Sequence, residues 1–331
     1  MRQYYKLSRP AYILGRAAIA GPKEGQGPFG DQYDRVVTDD MLGQSSYEDA
    51  ESMLCQLAVQ LALEKAGVES GQVDFMLAGD LLNQIIASSF AAKKLDIPFI
   101  GLYGACSTMS ESLALGSLLL TGGFGSYAVC AASSHFSSAE RQYRFPLEFG
   151  TQRAPTCQRT ATASGAALLG TVGTGAHITD VLIGRVIDLG VKDANNMGAA
   201  MAPAAADTIE QFFTLSGMQP EQFDKVVTGD LGSVGSELLL ELLAKQNLDL
   251  GARHMDCGCE IFRDLPEVDA GGSGCGCSAS VLNSYLLNEL DAGRLGRILF
   301  LATGALMSTT SSQQGNSIPG IAHAVVIESG V

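Results

Sequence analysis

The spacing of apolar positions switches between two periods along the chain, and each switch marks the end of one element and the start of another. Met53, Leu54, Leu57, Ala58, Leu61 and Ala62 recur at helical spacing, and Gly67 stands just beyond, where a left-handed cap is favoured. Short apolar runs at Phe75 to Ala78, Phe99 to Tyr103, Tyr127 to Ala131 and Arg297 to Ala302 read as buried strands, and Val281 to Leu290 as a helix. Strands alternating with helices predict an α/β protein with mostly parallel sheets covered by helices.

The pattern repeats. Gly67 to Leu81 recurs without a gap as Gly217 to Leu231, each copy ending a helix and opening a strand, here Lys225 to Thr228 in the second. Ala105-Cys106-Ser107, leading into an apolar helix, pairs with Gly276-Cys277-Ser278, and Ala163 to Leu169 pairs with Ile321 to Ile327. Three matches in one order predict a duplicated unit, with halves at 1–190 and 191–331. Two such halves packed together bury a helix between sheets, and Ala114, Gly116 and Ser117 suit that crowded position.

Composition narrows the function. Of 331 residues 46% are apolar and 17% charged, which excludes disorder. A net charge of −14 opposes general affinity for nucleic acid or anionic lipid. The longest apolar run, Ile298 to Met307, falls short of the roughly 18 residues that span a bilayer. Arg2 and Lys6 precede a weak apolar stretch that Pro10 and Arg16 break, so no secretory segment is expected. Eight cysteines in so large a chain are read as thiols. The pairs Cys257/Cys259 and Cys275/Cys277 are spaced too closely for a known structural-metal pattern, so no metal is expected. Asp31, Asp34, Asp39 and Asp40 read as a solvated loop, and Gly21 to Gly30 lacks the lysine of a phosphate loop.

Candidate chemistry gathers in two places. Gly104-Ala105-Cys106-Ser107 turns a strand into a helix, which aims a thiol at the carboxyl ends of the strands and favours thiolate; a small buried core cysteine is the plainer reading. His135 to Arg159 carries Arg141, Arg144, Arg153 and Arg159 against Glu140 and Glu148, a basic stretch in an acidic protein that fits either an anion site or ion pairing between the halves. His135 is the candidate among four histidines; His177, His254 and His323 have no partner spacing.

These features, with the closing Ala302-Thr303-Gly304-Ala305-Leu306-Met307, resemble the thiolase and ketoacyl-synthase superfamily. Within it Ser133 to Pro146 and Glu148 to Thr156 are similar to the stage V sporulation protein AD family. The resemblance implies a thiolase-like αβαβα layered fold. It also implies binding of dipicolinic acid, a pyridine dicarboxylate stored as its calcium chelate, so calcium is a candidate companion ion. Other stage V sporulation A membrane proteins are the implied partners, with a homodimer common in the superfamily. The implied location is the forespore or spore, soluble or attached to the inner membrane. Superfamily catalysis uses a Cys with His and Asn or a second His. Here the first supporting position is Asp230, and the turn Gly271 to Ser278 holds neither Asn nor His. An ionised carboxylate only accepts hydrogen bonds, so it cannot steady a thioester oxyanion. The expectation is a non-catalytic binder that uses Cys106, His135, Arg141, Arg144, Arg153, Asp230 and Gly304. The rival is an acyltransferase with Cys106 as nucleophile and an oxyanion hole from the N–H groups of Cys106 and Gly304.

Overall fold

The computed structural model describes residues 3–143 and 153–331. Each half begins with a long or central strand and then alternates helix and strand. In the first half these are β1 (Tyr4–Ala20), α1 (Tyr47–Ala66), β2 (Phe75–Gly79), α2 (Ile86–Leu95), β3 (Phe99–Gly101), α3 (Thr108–Thr121), β4 (Tyr127–Ser134), α4 (Phe136–Tyr143) and β5 (Ala163–Gly170). The second holds β6 (His177–Leu182), α5 (Met197–Ser216), β7 (Lys225–Thr228), α6 (Gly232–Ala244), β8 (His254–Asp256), α7 (Cys257–Ile261), α8 (Cys275–Val281), β9 (Arg297–Ala305) and β10 (Gly320–Glu328). A π-turn, Leu282–Leu286, carries α8 onward into Leu287–Asp291.

Local chemistry sets the ends of these elements. Ser46 caps α1 by accepting from the Asp49 N–H at 3.1 Å, and Gly67 closes it at φ +66°, a conformation glycine adopts without strain. Gly217 closes α5 the same way at φ +73°, as the repeat requires.

The strands run in the order β8-β7-β9-β10-β6-β1-β5-β4-β2-β3, two five-stranded arrays joined where β1 and β6 pair antiparallel. Each array has the same internal order, which carries the duplication from sequence into topology. β6 precedes residue 190 yet stands in the second array, against β10. The expected parallel pairing holds for only part of each array: β2, β3 and β4 are parallel, while β5 runs antiparallel to both β4 and β1. The cause is the connection. Among the described residues the eight-residue α4 is the only helix between β4 and β5, and the chain re-enters the sheet from the same end.

Three apolar cores separate the layers. One lies under α1 and α2, one under α5 and α6, and the largest surrounds α3 and α8 in the middle. α8 of the second half packs on β4 and β5 of the first, which locks the halves together. Small residues make the middle layer possible: a side chain at Gly116 would come within 2.8 Å of the Cys130 sulfur.

Candidate functional site

The chain leaves β3 and turns at Ala105, which adopts φ +51°, a strained conformation for any residue with a side chain. The turn is held by the Ser107 N–H and hydroxyl, both donating to the Gly104 carbonyl, at 3.1 and 2.7 Å. It delivers Cys106 to the wall of a cavity of about 290 Å³. The other walls come from both halves: Leu81, Ala139 and Tyr143 from one side, Asn195, Met201 and Met307 from the other. Gly304 lies behind the turn, where any side chain would drive into the Gly104 carbonyl. Its role is close packing of β9 against the Cys106 turn.

Cys106 faces two acidic neighbours. Hydrogen bonding to Cys275, then burial, then Asp230 push its thiol well above the usual range. The expected thiolate is therefore corrected: the helix N-terminus is outweighed, and the group is a neutral thiol. Cys275 in turn donates to the Ala105 carbonyl at 3.0 Å. Asp230, fully buried, accepts from the Thr303 hydroxyl at 2.9 Å, the Gly274 N–H at 2.9 Å and the Ser273 hydroxyl at 3.1 Å. Burial pushes it up to about 7 despite those donors, so it exchanges its proton near neutral pH. Gln158 braces this floor, its Nε2 donating to the carbonyls of Asp230 and Gly272, each at 2.7 Å.

The basic stretch is placed differently from its sequence reading. His135 does not line the cavity. Its Nδ1 accepts from the Ser137 N–H at 3.1 Å, which leaves Nε2 to donate to the Asp40 carbonyl at 3.0 Å, and burial lowers its pKa. It is a neutral structural residue that ties β4 to the Asp40 loop. Arg141 also lies away from the cavity, in an exposed pair with Glu48. Arg153 comes nearer: it pairs at 2.8 Å with Glu140, which does line the cavity, and sits over the Phe136 ring. Arg159 stacks 3.9 Å from the centre of the same ring. Arg144 and Glu148 lie outside the described residues. Among the described residues no three metal-ligating side chains converge, the Cys-Gly-Cys pairs included.

Sequence reasoning missed Cys275, Gln158, Asn195 and the methionine wall. Cys275 carried a signal that was read two positions along the chain. The repeat matched Cys106 with Cys277, but Cys277 points to the Gly229 carbonyl at 3.8 Å, and the residue before Cys275, Gly274, shares the left-handed turn of Ala105.

This architecture, with a cysteine at a strained strand-to-helix turn and an inter-half cavity before it, defines a thiolase-like protein. It superimposes on 3-oxoacyl-[acyl-carrier-protein] synthase III from Aquifex aeolicus VF5 with a TM-score of 0.59, covering 96% of this chain and 99% of that one at 11% identity. A variant of OleA from Xanthomonas campestris gives 0.63 over 98% and 100% at 15% identity. At these identities the likeness speaks for the fold alone. The family model of stage V sporulation protein AD matches residues 1–328. A relative named stage V sporulation protein AD, from Bacillus subtilis (strain 168), is 42% identical over 327 residues, 99% of this chain and 97% of its own length. The chain belongs to the stage V sporulation protein AD family and is thus a sporulation protein.

Proposed function

We propose that the cavity binds dipicolinate without transforming it, in the service of its movement into the developing spore and out on germination. The observation that carries this reading is the neutral Cys106 thiol, held well above its usual range by Cys275, burial and Asp230, with a buried carboxyl rather than an imidazole beside it. A protonated thiol is a poor nucleophile, and a carboxylate beside it only accepts hydrogen bonds and so does not steady an oxyanion.

The cavity suits a small planar acid. Its volume lies near the lower end of the roughly 300–1,000 Å³ typical of ligand pockets, enough for a single ring. Asn195 and Met197 bring the N-terminal end of α5, a helix of 20 residues, to the wall, and that end favours anions. Arg153 is one side chain removed, and a dianion at Glu140 would draw the guanidinium inward. Calcium as companion, a homodimer, and attachment to the inner membrane through other stage V sporulation A proteins belong to the same proposal. No helix among the described residues is long and apolar enough to cross a membrane, so such attachment would use partners.

Titration with dipicolinate, followed by heat or pyridine absorbance, tests the reading. Saturable binding that Arg153→Ala weakens about tenfold and Arg294→Ala leaves unchanged is expected. Equal binding by both variants would move the site elsewhere, and no binding at all would end the proposal. Intact mass after incubation with an acyl thioester covers the rival: stable acylation of Cys106 would favour an acyltransferase.

A further inference from the structure

Among the described residues that line the cavity, Gln158 carries a buried polar atom with no partner. The residue is 7% exposed, and its Nε2 donates to the Asp230 and Gly272 carbonyls, each at 2.7 Å. An amide nitrogen has two protons, and both are spent here on acceptors that a flipped amide would repel. The orientation is thereby fixed, and it leaves Oε1, the opposite arm of the amide, as a buried acceptor that receives no hydrogen bond. A buried acceptor is costly to leave without a donor, so an occupant of the cavity is selected for having one.

Neighbouring groups of the lining have spent their protons as well. Ser273 donates its hydroxyl to Asp230 at 3.1 Å, the Tyr143 hydroxyl donates to the Leu81 carbonyl, and the Cys106 thiol is hydrogen-bonded to Asp230. What the two hydroxyls offer inward is lone pairs. Glu140, which forms the roof of the cavity with Leu81, Ala139 and Tyr143, is paired with Arg153. Donors come from elsewhere on the wall, from the Asn195 amide beside the N-terminal end of α5 and from the Thr160 hydroxyl. The lining therefore suits an anionic group on one side and a donor on the other.

We propose that Gln158 makes the cavity select a monoanion that carries a hydrogen-bond donor, so that dipicolinate binds with one carboxyl protonated and Oε1 of Gln158 accepts that O–H. The identity of the ligand rests on the reading of the cavity given above; the need for a donor rests on Gln158. As a dianion, dipicolinate offers only acceptors, two carboxylates and a ring nitrogen, and leaves Oε1 unpaired. One proton taken from solvent turns a carboxylate into the missing donor and lowers the charge to what a helix end and two neutral donors can hold. Several titratable groups of the protein surround this space. Cys106 is a neutral thiol, and burial pushes up Cys275 on α8, Tyr143 on α4, Glu111 on α3 and Asp80 after β2. Arg153 is matched to Glu140 and Arg159 stacks on Phe136. Asp230, at about 7, is the protein group whose titration has to be separated from the ligand's.

Calorimetry on the full chain from about pH 6 to about pH 8, in buffer stripped of divalent cations, makes that separation by comparing dipicolinate with its half-amide, 6-carbamoylpyridine-2-carboxylate, a monoanion whose N–H donors do not titrate. Dipicolinate affinity is expected to fall about tenfold per pH unit, with uptake of about one proton read from heats in two buffers of different ionisation enthalpy. The half-amide is expected to bind at least about tenfold more tightly than dipicolinate at about pH 8 and to vary less than about threefold over the range. Ionisation of Asp230 would weaken both ligands alike, so a common slope overturns the proposal, as does a flat dipicolinate profile or a half-amide that binds more weakly. Calcium that abolishes the slope would put an ion where the proton is proposed and overturn it equally. Gln158→Leu is expected to bring the two ligands within about threefold of each other, and an undiminished preference in that variant overturns the proposal; should the lost brace unfold it, the ligand comparison on the unaltered chain decides. Half-amide binding with no dipicolinate binding would remove the dipicolinate reading and keep the donor requirement. Tight, pH-independent dipicolinate binding would do the reverse, and binding of neither overturns both.

Discussion

The two halves share a scaffold and divide its chemistry. Both turn from a strand through a left-handed residue into a middle-layer cysteine, Ala105 before Cys106 and Gly274 before Cys275. The two thiols then meet at the join, so a duplication has set them face to face, and only Cys106 lines the cavity. The Gly-Asp-Leu turns differ more. Asp80 is satisfied by donors within eight residues of itself, whereas Asp230 reaches Ser273, Gly274 and Thr303 and lies under Cys106. In the second half the local capping has passed to Asp256, which accepts from Leu231, Gly232 and Cys259 N–H groups. One copy of a capping residue was thereby freed to shape a site.

The strongest way to break this comparison is at the strands behind the two turns. Gly304 packs on the Cys106 turn with no room for a side chain, while its counterpart Ser134 accepts from the Gly276 N–H at 3.0 Å and donates to the Ala161 carbonyl at 2.7 Å. Gly304→Val should cost more than about 4 kcal/mol in urea unfolding or yield no folded protein, because backbone rather than a flexible tip would have to move. Ser134→Ala should cost about 1–3 kcal/mol for a buried N–H left unpaired. Similar costs at both sites would show that the halves are packed alike.

A good deal of this was legible in the sequence. The strands at Phe75, Tyr127, Lys225 and Arg297, the glycine caps and the crowded α3 helix followed from spacing and small residues, because those are properties of neighbours along the chain. What escaped depends on residues far apart. Arg141 finds Glu48 across 93 residues, and Arg153 is held by Glu140 over an aromatic ring. Cys275 was hidden because the repeat match fell on Cys277. The π-turn after α8 accounts for one of the two positions of that slip, since it takes up an extra residue between turn and strand. The antiparallel return to β5 was invisible for a similar reason: apolar spacing does not say on which side of the sheet a connection passes.

Next in size is the buried acid of the second turn. A carboxyl whose folded pKa is raised destabilises the fold as pH rises through the ordinary carboxylate range, and the loss is complete above the raised value. For Asp230 that window runs from the ordinary Asp pKa to about 7. Stability should decline across it, and Asp230→Asn should flatten the decline, with a gain above the window on the order of 2 kcal/mol offset by weakened bonds to Thr303 and Gly274. Urea midpoints measured across that pH range check this. A smaller effect concerns the paired thiols. Cys275→Ala removes the first cause of the raised Cys106 thiol, so alkylation of Cys106 at constant pH, followed by peptide mass, should quicken severalfold. No change in rate would mean that Asp230 and burial alone govern the thiol.

The smallest expected effect separates the arginines that the basic stretch presents together. Arg141 has its side chain 45% exposed and its charge already matched by Glu48, so water and salt screen most of what the pair contributes. Arg141→Ala should change stability by less than about 1 kcal/mol and leave dipicolinate affinity within a factor of two, measured beside Arg153→Ala in the same titration. The contrast follows from position: Glu140 carries Arg153 to the cavity wall, and Glu48 carries Arg141 away from it. A large loss of affinity on removing Arg141 would mean that α4 rotates when ligand enters, bringing its exposed face inward and making the roof, rather than the cysteine floor, the half of the cavity that recognises charge.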